Sequence, residues 1–228
     1  MSAPAAVERL RQRHPLQKFE APSEGFSGVL HTDSYGWHFQ YLTIVGLTIS
    51  TLCFTCGLSA DMASSSTTFG RTLFTCKNYL ALVAAPIEIL ISILYWGLRA
   101  IDTSLVIPPD LPMLPLWADI GFHLAPALFL AADVLLCSPP WPTAPLPKNA
   151  SVVTLSLSTS FAFAYWYWIE LCYAHNGFYP YPIFGLLNRW QRVGLFAFAG
   201  VMMWMVGAAL RFGYAALNGV EAVGRLRR

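Results

Sequence analysis

The chain has 228 residues, of which 56% are hydrophobic, 14% aromatic and 11% charged, with a formal net charge of +2. A soluble domain carries about 25% charged residues, so this composition excludes a water-dispersed globule and calls for lipid around the apolar surface. The small charge, with its basic residues mostly in the two tails, excludes a nucleic-acid footprint and reads as topology determinants and headgroup contacts.

Residues 1–36 form a polar, basic tail with no apolar core segment, so no signal peptide is expected. Windows of about 20 apolar residues, each a candidate transmembrane helix, follow at residues 37–60, 79–98, 117–137, 152–173 and 193–217. Polar or proline-rich breakers separate them, at residues 61–78, 102–115, 138–150 and 175–192. In the last breaker, Tyr179-Pro180-Tyr181-Pro182 and the apolar residues 183–187 are too short to span and read as an interfacial or re-entrant piece. Trp37, Trp117, Trp141, Tyr179 and Trp190 stand at span edges, where amphipathic rings prefer the headgroup zone. The expected fold is all-α. A polytopic bundle of about five membrane-spanning helices occupies residues 37–217, and a basic tail follows at 218–228. No internal repeat is evident.

With five spans the Arg and Lys residues divide seven to seven between the two sides, which selects no orientation. One further helix between the N-terminal tail and Trp37 turns the division into eleven against three, the asymmetry that membrane proteins show. The charge pattern therefore calls for an extra apolar segment near residues 31–35. In that six-helix arrangement both tails and the loops 61–78 and 138–150 face the cytosol. Asn149 of the sequon Asn149-Ala150-Ser151 is then expected to stay unmodified.

Cys53, Cys56, Cys76, Cys137 and Cys172 lie in or beside apolar runs and read as small packing residues. Cys53 and Cys56 form a CxxC, but no His or acid stands beside them, so no metal site is expected, and no cofactor. The charges expected to be buried in the spans are Glu88, Asp133, Glu170 and Arg211. Such groups are costly in lipid and are functional candidates by default; a Glu88 or Glu170 pair with Arg211 inside the bundle is the plainer reading.

Two parallel helices each open on a Trp and carry a reactive type six positions later, Thr43 after Trp37 and His123 after Trp117. At about 1.5 Å per residue this sets both at similar depth. A Thr hydroxyl needs a base, and neutral imidazole is the usual one, so the pair suits acyl transfer. Equally, an intramembrane Thr commonly bonds back to its own helix and a lone His bridges helices. Asp119, one turn before His123, can face the same side and orient the ring, whereas Asp133, ten residues on, cannot partner it directly. A carrier built on the four charged groups and a non-catalytic scaffold stay open beside the enzyme.

The block Tyr35-Gly36-Trp37-His38-Phe39-Gln40-Tyr41-Leu42-Thr43, then Leu114-Pro115-Leu116-Trp117 with Asp119 and His123, then Asn176-Gly177 with Tyr181-Pro182 together resemble the androgen-induced / androgen-dependent TFPI-regulating protein family. The wording of His123-Leu124-Ala125-Pro126 and Ser138-Pro139-Pro140-Trp141 is similar to its fungal branch. The resemblance implies a six-helix, multipass membrane threonine hydrolase that cleaves fatty-acid esters of hydroxy fatty acids. It implies Thr43 as nucleophile and His123 as base, with membrane lipids as the surroundings and source of substrate. Beside that pair the residues themselves offer Asp119 as a supporting residue and Trp117, Tyr181 or a backbone N–H as candidate oxyanion donors, none of them singled out by the sequence. The endomembrane system, the endoplasmic reticulum foremost, or the plasma membrane is the implied location. Two departures stand out. The family's first hydrophobic helix is absent where the charge pattern calls for one. Animal members also carry Asn where Asp119 stands and lack Glu88 and Glu170.

Overall fold

The computed structural model describes residues 34–64, 66–107, 114–137 and 150–218. Residues 1–33 and 219–228 of the tails, Trp141 and Asn149 lie outside the described residues, and with them the expectations for an added helix and for Asn149. Among the described residues the secondary structure is helical throughout: α1 (Leu42–Met62), α2 (Thr68–Ile101), α3 (Leu116–His123), α4 (Ala125–Ala132, running on as a π-helical turn Asp133–Cys137), α5 (Ala150–Asn176), α6 (Pro182–Leu186) and α7 (Arg189–Asn218). Short 3₁₀ turns, Trp37–Gln40 and Thr103–Leu105, precede α1 and follow α2.

α1, α2 and α7 are long and apolar enough to cross a membrane, and α3 with α4 makes a fourth span if that bent pair counts as one. The fourth expected span, α5, is long enough at 27 residues, but Ser151, Thr154, Ser156, Ser158, Thr159, Ser160 and Glu170 make it less apolar than the others. The third expected span is also not one continuous helix. It breaks at Leu124, with a 41° bend, because Pro126 has no N–H to continue the ladder and its ring crowds the preceding turn.

α2 is the axis of the bundle. Its apolar window is 61% buried, against 22% for α1 and 28% for α7. α1 packs along one side of it, α4 and α7 along others, and α5 lies against α7. Contacts with α1 and α4 are close because the facing α2 residues are small: Ala81, Ala84 and Ala85 are fully buried. At Gly46 of α1 a Cβ atom would stand 2.8 Å from Ile91 Cδ1 and 2.9 Å from Glu88 Oε1, so glycine lets these two α2 side chains reach α1 undisplaced.

The inward face of α2 also carries Lys77, Glu88, Ser92, Tyr95 and Arg99 at roughly heptad spacing. From Lys77 to Arg99 the rise is about 33 Å, close to the hydrocarbon thickness of a bilayer. Each charged group on this seam meets a partner: Lys77 pairs with Asp133 at 2.5 Å, Glu88 with Ser50 at 2.9 Å, and Arg99 with Asp119. The expected Glu–Arg211 pair does not form among the described residues. Arg211 donates instead to Thr154 Oγ1 at 3.1 Å, and Glu170 pairs with Arg192 at 2.6 Å. Arg192 closes the last breaker, one α-helical turn from the start of α7, and lies nearer to Glu170 at the end of α5 than Arg211 in the opposite half of the bundle.

Candidate functional site

The site begins with the chain's approach to α1. Gly36 adopts φ 83, in the left-handed region open to glycine, and a Cβ there would lie 2.6 Å from Cys172 Sγ. Asn176 clamps the neighbouring Tyr35 from both sides: Tyr35 N–H donates to Asn176 Oδ1 at 2.8 Å, and Asn176 Nδ2 donates to Tyr35 O at 3.0 Å. Two motifs far apart in the chain are thus one structural unit.

The 3₁₀ turn ends in Tyr41, which is extended (φ −88, ψ 126), and the α-helix starts only at Leu42. Thr43 is therefore the second residue of α1, not one six positions inside a helix opening at Trp37, while His123 is the eighth of α3. Equal spacing from the two tryptophans does not translate into equal helical rise. The reason is Gly36 and Tyr41, which keep residues 37–41 out of the α-helix.

This start has a chemical consequence for Thr43. Of the four threonines of α1, Thr48, Thr51 and Thr55 donate to the carbonyl four residues back at 2.7 Å. Thr43 does not: the turn behind it is not α-helical, and its carbonyls serve other donors. Trp168 Nε1 donates to Phe39 O at 3.0 Å, and the Tyr165 hydroxyl donates to Gln40 O at 2.8 Å. The Thr43 side chain instead lies within hydrogen-bonding reach of the Tyr181 phenol, whose oxygen accepts the Leu42 N–H at 3.1 Å. Burial pushes the Tyr181 phenol up from its ordinary value, while the donors from Thr43 and Leu42 pull it back. It stays a neutral O–H across the physiological range.

Thr43 and Tyr181 stand in the wall of a cavity of about 140 Å³ between α1, α2, α5 and α7. Its lining is otherwise almost wholly apolar, with Leu90, Leu94, Phe161, Ala199 and Met203 among the wall residues. Dry cavities of about this size hold a benzene-sized group, so the chamber as it stands accepts a short stretch of hydrocarbon. A second, more polar cavity of about 360 Å³ lies on the other side of Tyr181, between Tyr173, Tyr179 and Arg192. There Arg192 is over the Tyr179 ring at 4.9 Å, and the Tyr179 hydroxyl meets Glu170 at 3.2 Å. Burial and the Glu170 carboxylate push the Tyr179 phenol up to about 12.

His123 sits against this chamber through Tyr95, a wall residue whose ring stacks flat on the imidazole at 3.6 Å. As the spacing suggests, Asp119 faces the same side: its Oδ1 is 2.9 Å from His123 Nδ1. An ionised carboxylate only accepts, so Nδ1 carries the proton and the Nε2 lone pair is left for chemistry. Asp119 is 1% exposed and its other oxygen pairs with Arg99. Asp133 is bound to Lys77 instead. Among the described residues no hydrogen bond joins Thr43 to His123: Thr43 lines the chamber, whereas His123 lies behind the Tyr95 ring and lines neither cavity. Trp117 is 67% exposed and lines neither cavity.

Arg99 and Tyr95 were not legible as site residues from local sequence. Their signal was the heptad spacing along α2, which joins them to Glu88 and Lys77 on the buried face. The cysteines are free thiols; Cys53 and Cys172 are buried, and Cys76 and Cys137 exposed. No cluster of His, Cys, Asp and Glu suited to a metal ion occurs among the described residues.

These features define a polytopic α-helical membrane protein whose bundle encloses an apolar chamber with hydroxyl-bearing residues in its wall. A model of FAR-17a/AIG1-like proteins matches residues 17–214, and the chain belongs to that family. It is 37% identical over 170 residues to a UPF0641 membrane protein of Schizosaccharomyces pombe, covering 74% of this chain and 71% of that relative. No solved structure matches it.

Proposed function

We propose that the protein is an integral membrane hydrolase of lipid carboxylic esters, with Thr43 as nucleophile and His123 as general base. The observation that carries this reading is the Thr43 hydroxyl. It is released from the back-bonding that holds Thr48, Thr51 and Thr55, and it faces an apolar chamber. In the proposed reaction His123 Nε2 takes the Thr43 proton as Oγ attacks the ester carbonyl, with Asp119 and Arg99 fixing the ring. The alcohol leaves with that proton, and water then cleaves the acyl-threonine by the same path. Catalytic hydrogen bonds are commonly long without substrate and close around it, which accords with the separation of Thr43 and His123. The family resemblance points to fatty-acid esters of hydroxy fatty acids as substrate, and to the endomembrane system or plasma membrane as location.

The carrier alternative has less support, because Glu88, Asp133, Glu170 and Arg211 each bind a separate local partner and do not converge. The test is a fluorophosphonate probe on membranes, followed by hydrolysis of a panel of lipid esters by purified protein. Labelling and turnover both vanish in Thr43→Ala and His123→Ala while membrane insertion persists, and Thr43→Ser keeps part of the activity. Turnover within a few-fold of wild type in either alanine variant refutes the assignment.

A further inference from the structure

Thr43, Tyr95, Tyr165 and Tyr181 are the polar residues in the wall of the otherwise apolar chamber. Their hydroxyls are not equivalent. Tyr165 is committed, donating to the Gln40 carbonyl at 2.8 Å. Tyr181 acts as an acceptor: its oxygen takes the Leu42 N–H at 3.1 Å and lies within reach of the N–H and hydroxyl of Thr43. No acceptor for the Tyr181 O–H proton is found among the described residues outside Thr43 itself. Accepting from the positive end of a 21-residue helix polarises a phenol and makes its own proton a stronger donor. The Tyr181 ring also stands in the walls of both cavities, so the apolar chamber and the polar cavity meet there.

We propose that Tyr181 is the oxyanion donor of the Thr43 site, its O–H bonding the carbonyl oxygen while the acyl chain occupies the apolar chamber and the leaving alcohol points toward the polar cavity. This rests on the hydrolase reading above. As the Thr43 Oγ–C bond forms, the carbonyl π pair moves onto oxygen, and that oxyanion accepts from the phenol. When the pair returns, the bond to the leaving alkoxide breaks and the alkoxide takes the proton held by His123. Tyr181 keeps its own proton throughout, as a donor aimed at developing charge should. Competing donors are poorly set. Trp117 points away from both cavities, and the Leu42 amide already points at the phenol, so it acts through Tyr181.

Tyr181→Phe keeps the ring, which packs edge-on against Tyr41 and Phe184, and removes only the hydroxyl. Loss of one oxyanion donor lowers kcat by about 10²–10³, and KM stays near wild type because the ground-state ester is bound mainly by the chamber. A second arm separates donation from capping: 3-fluorotyrosine and 3,5-difluorotyrosine placed at position 181. Progressive phenol acidity should change kcat in step while the melting temperature stays constant. Wild-type kcat in Tyr181→Phe, or a kcat indifferent to phenol acidity, overturns the assignment. The parallel Thr43→Ala control tells the two failures apart. If Thr43→Ala is dead while the Tyr181 variants are normal, the donor is elsewhere. If Thr43→Ala also turns over, the hydrolase reading itself has failed, and this proposal with it.

Discussion

Asp119 is a carboxylate with 1% of its side chain exposed, set between two cationic or potentially cationic partners, Arg99 and His123. Replacing Arg99 by Met keeps the aliphatic volume and removes the charge that compensates it. Breaking a buried pair by deleting one partner costs about 3–5 kcal/mol, because the other charge is left uncompensated. Here the lower end applies: the Arg99 side chain is 20% exposed, and His123 can still donate to Asp119. For a chain of this size about 3 kcal/mol corresponds to a fall of roughly 6–12 °C in melting temperature. Adding Asp119→Leu removes the stranded charge, and apolar replacement of a whole buried pair is commonly neutral or better.

The expected order of melting temperatures in detergent is therefore wild type and the Arg99→Met/Asp119→Leu double variant close together, with both single variants well below. Ester hydrolysis should not follow that order. The double variant regains stability but has lost the carboxylate that holds the His123 proton on Nδ1, so its activity stays low. A double variant that melts at the sum of the two single losses refutes the ion-pair reasoning. A stable double variant with wild-type turnover refutes the positioning role of Asp119.

Filling the chamber wall with Ala199→Phe should shift hydrolysis toward shorter acyl chains while leaving fluorophosphonate labelling of Thr43 intact; unchanged chain-length preference in a panel of esters removes the chamber from substrate binding. Gly46→Ala forces a Cβ to 2.8–2.9 Å of Ile91 and Glu88 and should cost about 1–3 kcal/mol by overpacking, read as a lowered melting temperature. A variant as stable as wild type would mean that α1 and α2 can separate there freely. For topology, Asn149 should carry no glycan; a glycosidase-sensitive mass shift lost in Asn149→Gln would invert the orientation expected from the basic residues.

How much of this was legible in the sequence differs by length scale. Apolar windows gave away the helices, since lipid demands about 20 apolar residues in a row and little else satisfies that. The i to i+4 pairing of Asp119 with His123 was equally plain, because helical geometry fixes it. The start of α1 is not legible in the sequence because residues 37–41, rich in aromatic rings, run straight into the apolar window. What stops them is one glycine in a left-handed conformation and an extended Tyr41, which hydropathy does not register. The Arg211 pairing was misjudged for another reason. Composition says that a buried carboxylate needs a cation, but not which one, and Arg192 could be chosen over Arg211 only once the fold placed it beside Glu170. Arg99 and Tyr95 meet Asp119 and His123 across two helices, and such contacts leave no local trace beyond the spacing on α2.

An enzyme that hydrolyses esters held in a membrane has to bring two immiscible reactants to one hydroxyl. A nucleophile deep in a span meets acyl chains but no water; one in a loop meets water but no acyl chain. As the proposed nucleophile, Thr43 would escape this conflict by standing at the second residue of a 21-residue helix, where the helix has begun but its own back-bonding has not. From there one direction leads into an apolar chamber walled by α2, α5 and α7, and the other passes Tyr181 to a polar cavity bearing Arg192. The Tyr35–Asn176 clamp and the Tyr181 bond to Leu42 hold this junction from the far end of the chain. The first and third motifs, distant in sequence, are thus explained by one requirement, a fixed start of α1 between an apolar and a polar cavity. Loosening the clamp with Asn176→Ala should accordingly reduce turnover more than it reduces thermal stability, since the bonds it removes lie at an exposed edge while the geometry they fix lies at Thr43.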